Sequence, residues 1–190
     1  MCSSDLQTLA LKPDYAGVTQ YIGRRMGWYA IARALKPRLV VETGIDKGLG
    51  ACVLSQALLR NKAEGAPGTY IGTDINPKAG YLYTAPYSEM GKILYGDSIE
   101  SLQTLTEPID LFLNDSDHSA DYEAREYETI ADRLSENAVI LGDNAHYTTR
   151  LADFALRTGR RFLFWPEPPK NHWYPGAGIG AAWLAPKPPL

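Results

Sequence analysis

The chain has 190 residues, 45% hydrophobic and 22% charged, with a formal net charge of −3, a pI near 5.6 and a mean hydropathy of −0.26. That length fits a single domain spanning 1–190, with 1–14 expected to be flexible and 186–190 a tail, and a core large enough to need no disulfide or metal staple. The acidic balance gives no basic face for nucleic acid, no apolar run approaches the length of a membrane span, and Cys2 and Cys52 suggest neither a disulfide framework nor a zinc site.

In chain order, Gly23 to Leu35 carries Met26, Trp28, Ile31 and Leu35 at helical spacing and stops at Pro37. A first strand is expected over Arg38–Thr43, followed by a helix over Leu49–Leu59 and a Gly/Ala-rich loop from Asn61 to Gly68. A second strand, Thr69–Thr73, ends on Asp74, and Asn76-Pro77 opens a turn. A short strand Ile93–Tyr95 ends on Gly96-Asp97-Ser98, with Ser98 the expected cap of a helix through Leu105. The fourth strand, Ile109–Leu113, ends on Asn114-Asp115-Ser116-Asp117-His118. A helix over Ala120–Leu134 then shows a charged face made by Glu123, Glu126 and Arg133. The fifth strand, Ala138–Leu141, ends on Gly142-Asp143-Asn144, and a helix Thr149–Thr158 precedes strands Arg161–Trp165 and Ile179–Leu184. Strands alternating with helices predict an α/β fold: a Rossmann-like, doubly wound, mostly parallel seven-stranded sheet with helices on both faces. The last two strands have no room for a crossover helix, so the final strand is expected to be antiparallel.

Ligands of such sheets bind beyond the carboxyl ends of the strands. Glu42, Asp74, Asp97, Asp115 and Asp143 stand at those ends, one on each of the first five strands. Single acids there are commonly caps, but a whole rim of them is hard to assign to capping alone. Glu42-Thr43-Gly44 with Gly48 makes a strand–turn–helix opening in which the backbone can approach a ligand. Asp74 can accept the two hydroxyls of a ribose, and Asp97-Ser98 can meet an adenine edge. The spacing of Gly44, Gly48 and Gly50 is wrong for a dinucleotide turn, and Glu42 and Asp46 would put negative charge beside a pyrophosphate. A cofactor without phosphates and with positive charge suits this turn better, which favours S-adenosyl-L-methionine over NAD.

On these residues the chain resembles the class I S-adenosylmethionine-dependent methyltransferases, over about Ala30 to Leu184. Their acid-x-Gly-x-x-x-Gly motif is matched by Glu42, Gly44 and Gly48, and their second-strand acid by Asp74; Asp46 departs from the middle glycine of many members. The resemblance implies that Glu42, Thr43, Gly44, Gly48, Asp74, Asp97, Ser98 and Asp115 contact the cofactor. The segments Asp110 to His118 and Leu141 to Asn144 are similar to the metal-dependent O-methyltransferases, which implies that Asp115, Asp143 and Asn144 hold a divalent cation. An all-oxygen donor set suits Mg2+ first and Mn2+ second. Asp117 is an alternative to Asp115 or a partner beside it. By similarity to the magnesium-dependent sugar O-methyltransferases, His118 is the general base, with His146 its rival.

The activity implied is O-methylation of a small-molecule hydroxyl, a sugar before a catechol or phenol, in the cytoplasm; the oligomeric state is open, a homodimer among the options. Tyr81, Tyr83, Tyr87, Trp165, Trp173 and Tyr174 lie in segments that can wall an acceptor pocket, with His172 beside them. An NAD-dependent oxidoreductase has no use for the Asp–Asp–Asn set, a non-catalytic cofactor-binding protein would be expected to lose it, and nucleic-acid methylation lacks a basic stripe.

Overall fold

The structure is a computed structural model that describes residues 25–143, 145–167 and 177–186. Helix α1 is Arg25–Leu35, strand β1 Leu39–Thr43, α2 Leu49–Ala63, β2 Thr69–Asp74, β3 Gly91–Tyr95 and α3 Ser98–Gln103. Strand β4 is Ile109–Asn114, α4 Ala120–Ile130, β5 Leu134–Gly142, α5 Arg150–Arg157, β6 Arg161–Glu167 and β7 Ala177–Trp183. The seven strands form one sheet in the order β3-β2-β1-β4-β5-β7-β6. The first five pair in parallel, whereas β7 is antiparallel to both β5 and β6. The expected architecture is the one observed.

The sequence sets this order through burial. Every residue of β1 is buried, as a central parallel strand covered on both faces requires. Alternation along β1 and β4 divides the core in two. Val40, Leu111 and Leu113 pack with Trp28, Leu54 and Leu58 on one face. Leu39, Val41 and Phe112 pack with Tyr127, Ile140 and Phe154 on the other. Among the described residues no helix is long and apolar enough to cross a membrane.

Several boundaries differ from expectation by a few residues, β5 starting as early as Leu134, and three of them have a clear local reason. Helix α2 runs to Ala63 because Asn61 is held by α1, donating to the Ala32 carbonyl at 2.9 Å and accepting from Arg33. The chain turns only afterwards, where the N–H groups of Gly65 and Ala66 bond back to Lys62 and Asn61. The helix expected through Leu134 ends at Ile130, because Leu134 already pairs with Ile109 at the start of β5. The cap of α3 is Asp97, not Ser98: its carboxylate accepts the Glu100 N–H at 3.1 Å, and Ser98 is the first helical residue. The segments 1–14 and 187–190 lie outside the described residues.

Candidate functional site

The parallel pairing brings the carboxyl ends of β1 to β5 to one rim, where backbone bonds stitch the loops together. Gly44 N–H donates to the Thr73 carbonyl at 2.9 Å, Asp115 N–H to Thr43 at 3.0 Å, and Asp143 N–H to Asn114 at 2.9 Å. Gly44 has φ +76, and a Cβ there would stand 2.0 Å from the Asp115 carbonyl oxygen. Only glycine can therefore carry the β1–α2 turn this close to the end of β4.

Glu42 lies beneath that turn, 2% exposed, and accepts a hydrogen bond from the buried Tyr70 hydroxyl. A Cβ on Gly50 would stand 2.0 Å from Glu42 Oε1, so the start of α2 is open to admit this carboxylate. Burial pushes the Glu42 carboxyl up to about 7, while the Tyr70 hydrogen bond and the Arg25 charge oppose the shift and Asp143 adds to it. Asp115 and Asp143 form a facing pair. Burial holds the Asp115 carboxyl well above the usual carboxylate range, with the Asp143 charge and hydrogen bond raising it further. Arg25 is the cation whose charge reaches both Glu42 and Asp115.

Asp74 accepts the N–H of Asp46 at 3.0 Å and of Asn76 at 2.8 Å, which fixes its carboxylate at the mouth of the rim. Asp97 also accepts the Tyr122 hydroxyl at 3.1 Å. Behind them Glu126, fully buried, accepts from Thr43, Ser98 and Asn114, tying β1, α3 and β4 to α4. Glu123, also fully buried, accepts from Tyr127 and Thr148.

A cavity of about 690 Å³ opens on this rim, lined by Gly44, Asp74, Asp97, Ser98, Asp115, His118 and Asp143 together with Tyr122 and Arg25. A smaller one of about 200 Å³ adjoins it between Arg25, Glu42, Gly44, Lys47 and Asp115. The size and lining suit a ligand with an adenosine-like part and a short charged tail. Another cavity, about 710 Å³, lies at the amino-terminal end of β1 to β3 beside Lys62, Lys92 and Glu107, away from every rim acid.

A family model described as a methyltransferase domain matches residues 41–145. The chain belongs to that family. The matched methyltransferase segment runs from Val41, in the middle of β1, to just past Asp143, so it contains the whole acidic rim. Curated proteins yield no match by sequence. Solved structures share the fold. A methyltransferase from Podospora anserina with bound S-adenosylhomocysteine superposes at TM-score 0.66 and 17% identity, covering 98% of this chain and 89% of that one. An O-methyltransferase from Bacillus cereus, also holding S-adenosylhomocysteine, gives 0.64 and 15%, covering 96% and 89%. The O-methyltransferase TomG of tomaymycin synthesis in Streptomyces achromogenes, with bound S-adenosylmethionine, gives 0.67 and 12%, covering 98% and 91%.

Of the residues singled out by sequence, Gly44, Asp74, Asp97, Ser98, Asp115, His118 and Asp143 come together on the large cavity, and Glu42 on the small one. Thr43 does not: its hydroxyl turns away to donate to Glu126 at 3.1 Å. Gly48 starts α2 and packs against Gly80 rather than lining either cavity. Asp117 also lines the large cavity, but it is exposed and its carboxylate accepts the Ser119 N–H at 2.6 Å, whereas Asp115 interacts with Asp143. His146 is half-buried, with its ring 4.3 Å from that of Tyr147, and does not line the cavity. Tyr83 and Tyr87 are core residues, not pocket walls, and Tyr83 bonds Ser55. Asn144, His172, Trp173 and Tyr174 lie outside the described residues.

Arg25, Tyr70, Glu123 and Glu126 were missed as parts of the site and its support. For the two glutamates a signal existed: they share a helical face with Tyr127 and Ile130, and a carboxylate on an apolar face requires partners.

The pair Asp115–Asp143 fits a hard divalent cation. Its donors are oxygens, and two carboxylates this close need either a shared proton or a cation between them. Among the described residues no three His, Cys, Asp or Glu side chains form a metal cluster, and the expected third donor, Asn144, is an amide.

Glu42 generates a pH prediction for the ligand-free chain. In the fold it keeps its proton up to about pH 7, whereas unfolded it releases it near 4.5. Its contribution to stability is therefore complete below pH 4.5 and is lost as the pH rises toward 7. Urea unfolding should show wild type losing about 3 kcal/mol relative to Glu42→Gln across that interval, at 1.36 kcal/mol per unit. Parallel stability curves for the two proteins would contradict the assignment.

Proposed function

We propose that the chain is an S-adenosylmethionine-dependent, Mg2+-dependent O-methyltransferase acting on a hydroxyl of a small molecule, with a sugar hydroxyl the first choice of acceptor. The observation that carries this reading is the large cavity at the carboxyl rim of a methyltransferase domain, where Asp74, Asp97, Asp115, His118 and Asp143 converge. The bound donors in the Podospora, Bacillus and Streptomyces structures support the choice of S-adenosylmethionine. NAD is disfavoured because its pyrophosphate would meet Glu42 and Asp115 beside the glycine turn.

In this reading Asp74 accepts the ribose hydroxyls, and Asp97 with Ser98 borders the adenine. Glu42 and Asp115 favour the cationic end of the methionine part. Asp115, Asp143 and Asn144 hold Mg2+, which when bound supplies positive charge that orients the acceptor hydroxyl and lowers its pKa. The chain's task is alignment, because displacement at a sulfonium methyl needs the acceptor oxygen in line with carbon and sulfur. As the O–CH3 bond forms and the CH3–S bond breaks, the sulfonium becomes a neutral thioether and the hydroxyl proton passes to an imidazole nitrogen of His118. His118 is preferred over His146 because it lines the same cavity as Asp115 and Asp143.

Methyl transfer from labelled donor to panels of sugars and catechols, with and without chelator, tests this. Transfer to a hydroxyl should stop in EDTA and return with Mg2+; undiminished transfer in EDTA would remove the metal from the mechanism. His118→Ala should lower kcat by about 10²–10⁴ while donor binding persists, and His146→Ala should do much less. The reverse ranking would transfer the base to His146.

A further inference from the structure

We propose that β6 is a dimer interface, pairing antiparallel with β6 of a second copy about a two-fold axis at Phe164 so that the sheet continues from one subunit into the other. Strand β6 is the last in the sheet order and pairs only with β7 among the described residues. Among the described residues its outer edge therefore has backbone N–H and C=O groups with no strand partner, a template for another strand.

The side chains of this edge are unlike those of a protected one. Phe162, Leu163, Phe164 and Trp165 are 37%, 50%, 36% and 67% exposed, a run with no charge inside it. Soluble proteins commonly blunt such edges with lysine or an inward charge, and here charges stand only at the strand ends, Arg161 and Glu167. Phe162 and Phe164 lean over Gly180 and Gly178 of β7, where the missing Cβ atoms leave room for their rings. Leu163 and Trp165 alternate to the opposite face and are the two most exposed of the run.

What selects a second copy as the occupant is the symmetry of the strand itself. The full segment Arg161–Glu167 overlaps itself when Phe164 stands opposite Phe164. In that register Arg161 of each copy is opposite Glu167 of the other, and Leu163 is opposite Trp165. Residues of opposite charge thus fall opposite each other in the register, and the two most exposed apolar residues cover each other. A slip by two residues would set Arg161 against Trp165 and carry Glu167 beyond the strand. Pro166 lacks an N–H and falls opposite Phe162, so the ladder is anchored at its centre. One strand edge with these side chains is smaller than a standard interface of about 1,200–2,000 Å². The dimer should accordingly be concentration-dependent rather than obligate.

Sedimentation equilibrium on the full chain, from nanomolar to high micromolar, should show a reversible monomer–dimer equilibrium. Trp165→Asp should leave monomer throughout the range. Arg161→Glu should weaken dimerisation at least about tenfold, the 1.4 kcal/mol equivalent of one lost and one repulsive pair per half-interface. Adding Glu167→Arg to that variant should restore the dimer. Directly opposed antiparallel residues have Cα atoms about 4.5–5.5 Å apart, within disulfide range. Phe164→Cys in a Cys2→Ser background should therefore yield a disulfide-linked dimer under mild oxidation, a positive signal even if an aspartate variant misfolds. Monomer at every concentration overturns the proposal. So does a dimer that Trp165→Asp leaves intact and Phe164→Cys fails to cross-link, since association would then use another face.

Discussion

Three carboxylates gathered under one glycine turn are the constraint on which the rest of this molecule depends. Glu42 and Asp143 are buried and Asp115 is half-buried beside them, and isolated buried carboxylates are costly. Each feature around them reduces that cost. Tyr70 donates its hydroxyl to Glu42, Gly50 leaves space for the carboxylate, and Arg25 brings a positive charge over the group. Even so, the ligand-free arrangement holds Glu42 and Asp115 in the protonated direction. A site with this bias gains when a cation enters it, whether a divalent metal between Asp115 and Asp143 or the charged end of a sulfonium ligand beside Glu42. The acids thus couple the stability of the fold to occupancy of the site.

The second support lies on the other face of the sheet. Glu126 collects hydrogen bonds from Thr43, Ser98 and Asn114, and Ser98 and Asp97 are joined through the Tyr122 hydroxyl. A single side chain from α4 therefore fixes the relative positions of β1, α3 and β4. Those are the elements that present the turn, Ser98 and Asp115 to the cavity. Hydrogen bonds to a charged or partly charged acceptor of this kind are stronger than neutral ones, and breaking one leaves a buried donor unpaired. The acceptor side and the donor side of the proposed reaction are in this sense positioned from below by residues that touch neither.

Much of the rim was legible in the sequence because its chemistry coincides with strand ends. Apolar runs marked β1, β2, β4 and β5, and the acid or glycine that stopped each run proved to stand at the common rim. What was illegible depends on contacts between distant segments. The burial of Glu123 and Glu126 on a helix that reads as charged arises only when α4 packs on β4. Tyr83 and Tyr87 read as pocket walls by position but complete the core against α2. Thr43 sits inside the motif yet serves Glu126, and Asp97 rather than Ser98 caps α3, because side-chain direction at a strand end is set by the neighbouring helix. Arg25 had no local signal at all; its relevance comes from α1 lying beside the start of α2, where the Trp28 ring abuts Gly50.

In the proposed function the rim binds S-adenosylmethionine and its product rather than a dinucleotide. Calorimetric titration of the full chain with S-adenosylhomocysteine, and separately with NAD, tests it most directly. One S-adenosylhomocysteine should bind per chain, weakened by on the order of 1–3 kcal/mol in Asp74→Ala, where ribose hydroxyls lose their acceptor. NAD should give no measurable binding. Absence of S-adenosylhomocysteine binding, or tight binding of NAD in its place, would contradict it.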